Sequence, residues 1–105
     1  ATLEQWANLW LRLVWIYEDL GQDELARNAA EQAQKYFSEA MSTKSRSSAG
    51  DQALYLVLGE LALRLGERAD AFKNFRAATT MSGGDPRYKR MAADRIQDLR
   101  DQREG

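Results

Sequence analysis

The chain has 105 residues, 44% of them hydrophobic and 30% charged, a length that supports one domain. Fifteen Lys and Arg against sixteen Asp and Glu leave a net charge of −1, which argues against a nucleic-acid binder, where phosphate neutralisation demands a basic surplus, and against a polybasic membrane-surface protein. There is no Cys and no His, so disulfides, thiol nucleophiles, His-assisted triads and nearly every structural zinc pattern drop out.

No metal or cofactor site is expected, and the absence of cysteine fits a reducing cytoplasm. The longest apolar run is interrupted by Arg12 and stops at Glu18, far short of the roughly 20 residues that span a bilayer. No basic-then-apolar signal peptide precedes it. The chain starts at Ala1 rather than Met, so it is expected to be a piece of something longer.

Along the chain the spacing of large residues is helical. Trp10, Leu13, Val14, Tyr17 and Leu20 fall at i, i+3, i+4, i+7 and i+10, one stripe of a helix, of which Trp10, Leu13 and Tyr17 are expected to be core. Thr2 with Gln5 reads as a capping box that opens this helix, and Gly21 closes it as the residue after the cap. A second helix is expected from Asp23 as N-cap, with Ala26, Ala30, Ala33 and Phe37 inward. It frays into the serine-rich stretch from Ser42 to Gly50, which has turn composition and no periodicity.

A third helix is expected from Asp51 with Leu54, Leu58, Leu61 and Leu65 in register, ending at Gly66. A fourth runs from about Glu67 to Met81 with Ala71, Phe75 and Ala78 inward. Asp85 as N-cap and Pro86 at the first helical position form the strongest helix-start signal in the sequence. The fifth helix carries Tyr88, Met91, Ala92, Ile96 and Leu99. No segment reads as a strand.

The chain also repeats itself. A shift of 45 residues aligns Leu9, Leu11, Leu13, Leu20, Gly21, Ala26 and Ala33 with Leu54, Leu56, Leu58, Leu65, Gly66, Ala71 and Ala78, the mark of stacked helical hairpins. Tyr17 becomes Ala62 in the second unit while Ala30 becomes Phe75. That reads as an exchange of volume between facing positions of close-packed helices.

The second unit, through Tyr55, Leu58, Gly59, Gly66, Ala71, Phe75 and Ala78, resembles a tetratricopeptide repeat. The first unit matches through Trp10, Leu13, Tyr17, Gly21, Ala26 and Ala33, with Val14 where a small residue is usual. The period is stretched beyond the family's usual length of about 34 residues, and the expected proline arrives late, as Pro86. In these departures the chain is similar to the C-terminal helical half of an uncharacterised bacterial family that carries a Cys-rich N-terminal region. The resemblance implies an all-α, right-handed stacked array of two antiparallel hairpins with a C-terminal capping helix. Its parts are hairpin one at 2–42, a serine-rich loop at 43–50, hairpin two at 51–82 and the cap at 85–103.

The same resemblance implies a concave groove lined by the first helix of each hairpin. Asn8, Leu11, Trp15, Glu18 and Asp19 would line it from unit one, and Ala53, Leu56, Glu60, Leu63 and Arg64 from unit two. Leu11, Trp15, Leu56 and Leu63 then make an apolar strip for a peptide or helix, with Trp15 and Leu56 as anchors and Glu60 or Arg64 setting orientation. The alternative is that the fifth helix folds over this strip and buries it. The Lys and Asn with which some members bind C-terminal carboxylates are replaced here by Leu11, Trp15 and Val57, so that function is not expected.

The expected function is a non-catalytic protein-interaction module. Self-association as a homodimer is the alternative, with Trp6 as the candidate edge contact, because two repeat units are fewer than such arrays usually need. Glu18 and Asp19 are adjacent on a helix and point in different directions, which makes no catalytic pair. The start of the fifth helix offers donors to an anion, but Asp85 as cap is expected to take them.

Overall fold

The computed structural model of the chain describes residues 2–43 and 48–104. They form α1 (Leu3–Asp19), α2 (Asp23–Thr43), α3 (Ser48–Arg64), α4 (Arg68–Thr80) and α5 (Pro86–Glu104). The architecture is all-α, with no strand among the described residues. None of these helices is long and apolar enough to cross a membrane. Of the serine-rich stretch, residues 44–47 lie outside the described residues, and Ser48–Gly50 are already the start of α3.

The ends of these helices follow from local chemistry. Thr2 caps α1 by accepting from Gln5 N at 3.2 Å, while Gln5 Oε1 accepts from Thr2 N at 2.8 Å, so two donors left without an intrahelical partner are satisfied reciprocally. At the far end Gln22 N donates to Tyr17 O and Gly21 N to Glu18 O, with Gly21 at φ +72°. Glu67 N donates to Ala62 O and Gly66 N to Leu63 O, with Gly66 at φ +74°. Both are Schellman turns, whose left-handed residue glycine adopts without a Cβ penalty. The bonds from Ala26 N to Gln22 O and from Ala71 N to Glu67 O then open the next helix in the same way. The 45-residue repeat is thus reproduced bond for bond.

One expected cap is corrected. Asp23 is the first helical residue rather than the N-cap, and together with Glu24 it places negative charge in the first turn of α2, where the helix dipole favours it.

Contacts divide the chain into two compact units, residues 1–44 and 45–105. In the first, the tight turn folds α1 and α2 into a hairpin. Its buried residues are Ala7 and Val14 on α1, and Ala26, Ala29, Ala30, Ala33, Phe37 and Ala40 on α2. Trp10, Leu13 and Tyr17, expected as core, are only half-buried. The reason is the alanine-rich face of α2, which lets the backbones approach but reaches only the smallest residues of α1.

In the second unit α4 packs on both α3 and α5. Leu56, Ala62, Ala71, Phe75, Ala78, Ala92 and Leu99 form one buried cluster, flanked by Tyr55, Leu63, Phe72, Tyr88 and Ile96. Met91, read as part of the inward stripe of α5, is instead exposed. Tyr88, Ala92, Ile96 and Leu99 carry the contact without it. Gly59 explains how α3 and α4 come so close: a Cβ there would lie 2.6 Å from the Phe75 ring, which is fully buried. The corresponding pair in the first unit is Val14 with Ala30, both also fully buried.

Candidate interaction surface

Two seams and a hollow divide the surface of α1. Ala7 and Val14, with half-buried Trp10 and Tyr17, face α2. On a neighbouring side Gln5, Asn8, Leu9, Leu11, Arg12 and Trp15 line an open hollow of about 640 Å³. Trp15 is 51% exposed there and Leu11 half-exposed, so the candidate anchor of the first unit and its apolar neighbour stand on one accessible surface. Between these two sides lie Trp6, Leu9, Ile16 and Leu20, all exposed. Glu18 and Asp19 are exposed at the end of α1.

The second unit places its candidates differently. Leu56 is only 7% exposed and belongs to the cluster that α5 completes, with Leu63 packed against it. Glu60 accepts from Arg95 Nε of α5 at 2.6 Å and pairs with Arg64 at 3.5 Å. Leu56 and Leu63 therefore belong to the core that α5 completes, and Glu60, itself paired with Arg64, is tied to α5. This is the alternative in which the fifth helix covers the strip, and it corrects the expectation that Leu56 stands open as an anchor. The physical reason is that a hairpin whose outer face is this apolar must be covered, and α5 lies within the same unit to do it. Ala53 is half-buried.

Two further ties hold α5 down, and neither was foreseen from the sequence. Gln52, fully buried, donates from Nε2 to Ala78 O at 3.2 Å and accepts from Asp85 N at 2.7 Å. It so joins α3 to the end of α4 and the start of α5. Arg68 Nη2 donates to Leu99 O at 2.9 Å and Nη1 to Gln102 Oε1 at 2.8 Å, using a carbonyl near the C-terminus of α5. The signal for Gln52 lay in the repeat: the first unit has Ala7 at that place, so a polar residue there had to be buried and bonded.

The start of α5 is filled by its own side chain. Asp85 Oδ1 accepts from Arg87 N at 2.8 Å, and Oδ2 lies 3.0 Å from Arg87 Nη2. Hydrogen bonds from the Arg87 side chain, then from its backbone, hold the Asp85 carboxyl below its ordinary value. Arg87 is correspondingly raised by its bond to Asp85. The cap thus takes the donors an external anion would use.

A family model described as an uncharacterized protein conserved in bacteria (DUF2225) matches residues 1–103. The chain belongs to that family. No curated protein and no solved structure matches it significantly. Membership covers both hairpins and almost all of α5, so the α5 clasp and the open face of α1 both lie within the family's matched region.

Proposed function

We propose that the chain is a non-catalytic protein-interaction module of the tetratricopeptide-like type, which binds a peptide or helix along the hollow of α1. The observation that supports this is the half-exposed Trp15 beside Leu11 and Leu9 in an open hollow whose lining also includes Gln5, Asn8 and Arg12. Accessible tryptophan is among the residues most enriched in binding hot spots. The two Schellman turns and the helix-opening bonds that recur 45 residues apart support the repeat reading. Cytoplasmic location, which a chain without cysteine suits, is part of the same proposal.

The test is selection of helical and extended peptides from a displayed library against the chain, with affinities then measured by fluorescence anisotropy. Trp15→Ala is expected to weaken the selected peptides at least about thirtyfold, the loss of an aromatic anchor. Leu63→Ala, on the face toward α5, is expected to change affinity little. Peptides that bind the Trp15→Ala chain as tightly as the parent would remove this reading.

A further inference from the structure

The exposed side chains of α1 are not scattered. Trp6, Leu9, Leu13, Ile16 and Leu20 advance in alternating steps of three and four residues, the a/d spacing of a helix–helix seam. Leu9, Ile16 and Leu20 are 48%, 50% and 66% exposed, whereas Leu54, Leu61 and Leu65, their counterparts one repeat later, are 8%, 0% and 6% exposed. The positions are therefore packing positions of this fold that stand open in the first unit. An ordinary solvated helix face would carry polar residues at them.

We infer that this seam docks on the same seam of a second copy of the chain, with the two α1 helices antiparallel. The charges beside the seam decide both the partner and the direction. Arg12 and Asp19 sit seven residues apart at the same flanking position of the seam, and both are exposed. In an antiparallel pair that places Leu13 against Ile16 of the second copy and Leu9 against Leu20, Arg12 of each copy faces Asp19 of the other. The twofold axis makes this favourable pair twice.

A parallel pairing sets Arg12 near Tyr17 and Gln5 near Trp10, and leaves both charges uncompensated. The surface is thus complementary to itself in a single direction. In this register Trp6 of each copy stands level with the α1–α2 turn of the other, next to the half-exposed Leu25. The seam is about two heptads long and falls at the small end of specific interfaces, so the dimer is expected to be micromolar and reversible.

Peptide binding at the hollow shares Leu9 and Arg12 with this interface, so Ile16, which lies off the hollow, is the position that separates the two. Sedimentation equilibrium of the full chain across concentration, with circular dichroism as a control for folding, tests the dimer. The parent is expected to pass from monomer to dimer, and Ile16→Glu to remain monomeric with its helix content unchanged. Trp15→Ala, on the hollow, is expected to dimerise as the parent does.

Arg12→Asp and Asp19→Arg are each expected to weaken the dimer about tenfold, and the doubly exchanged chain to recover most of the loss. A chain that stays monomeric at every concentration assigns the seam to a different protein and overturns the proposal. Dimerisation that survives Ile16→Glu overturns it too. Failure of the double exchange to recover overturns the antiparallel register.

Discussion

Gly59 and Phe75 in the second hairpin occupy the places of Val14 and Ala30 in the first. Each pair combines one larger and one smaller side chain, and the larger has changed helix. The exchange foreseen from Tyr17 and Ala62 falls at Val14 and Gly59 instead, because Tyr17 is only half-buried whereas Val14 is fully buried. For Gly59→Ala two effects compete. Alanine is favoured over glycine within a helix by about 1 kcal/mol, but its Cβ would press on a buried ring 2.6 Å away, and overpacking of this kind costs about 1–3 kcal/mol.

The ring cannot swing into solvent, so the clash is expected to win by about 1 kcal/mol in urea unfolding. The double change Gly59→Val with Phe75→Ala recreates the pair found in the first hairpin. It is expected to be at least about 1 kcal/mol more stable than the sum of the two single losses. Strict additivity would show that the two positions do not share one space.

At the level of elements, α5 is held by apolar contact in its middle and by polar ties at its two ends. The cluster built on Phe75, Ala92 and Leu99 supplies the burial. Gln52 and Arg68 supply the register, since each bonds backbone groups whose position depends on how far α5 has slid. Asp85 adds the start signal. Its folded-state value lies below the ordinary one, so its contribution is present above the ordinary carboxylate range and is lost as pH falls through the lowered value.

Stability is therefore expected to fall with acid in the region below about pH 4, and Asp85→Asn is expected to flatten this part of the profile. Thermal unfolding between neutral and strongly acid pH measures it. An unchanged acid slope in the variant would assign the pH dependence to other carboxylates. Asparagine is the suitable replacement because it keeps the cap geometry and removes the charge.

At the scale of the whole molecule the two units differ in how completely their apolar faces are covered. The α3–α4 hairpin is closed over by α5, while the α1–α2 hairpin leaves Trp6, Leu9, Trp15, Ile16, Leu20 and Leu25 exposed. Regions with fewer buried apolar contacts open at lower free energy. Hydrogen exchange in dilute solution is expected to show lower amide protection in α1 than in α3. Raising the concentration should increase the protection of α1 selectively if the seam self-associates. Equal protection of the two helices at low concentration would count against the division.

Much was legible in the sequence. Helix number, the capping box at Thr2, the glycine turns at Gly21 and Gly66 and the start at Pro86 all depend on chemistry within a few residues, which a linear reading contains. Burial was legible at small residues such as Ala26, Ala33, Ala71 and Ala78 and along the large stripes at Phe37, Leu54, Leu58, Leu61, Leu65, Phe75 and Leu99, but not at Trp10, Leu13, Tyr17 and Met91. The sequence could not say whether Leu56 faces a partner or α5, nor that Gln52 spans three helices. Those outcomes turn on contacts between residues tens of positions apart. A side chain of given polarity is core or surface according to what the rest of the chain lays upon it, and only the packed structure decided that for α1 and for α3.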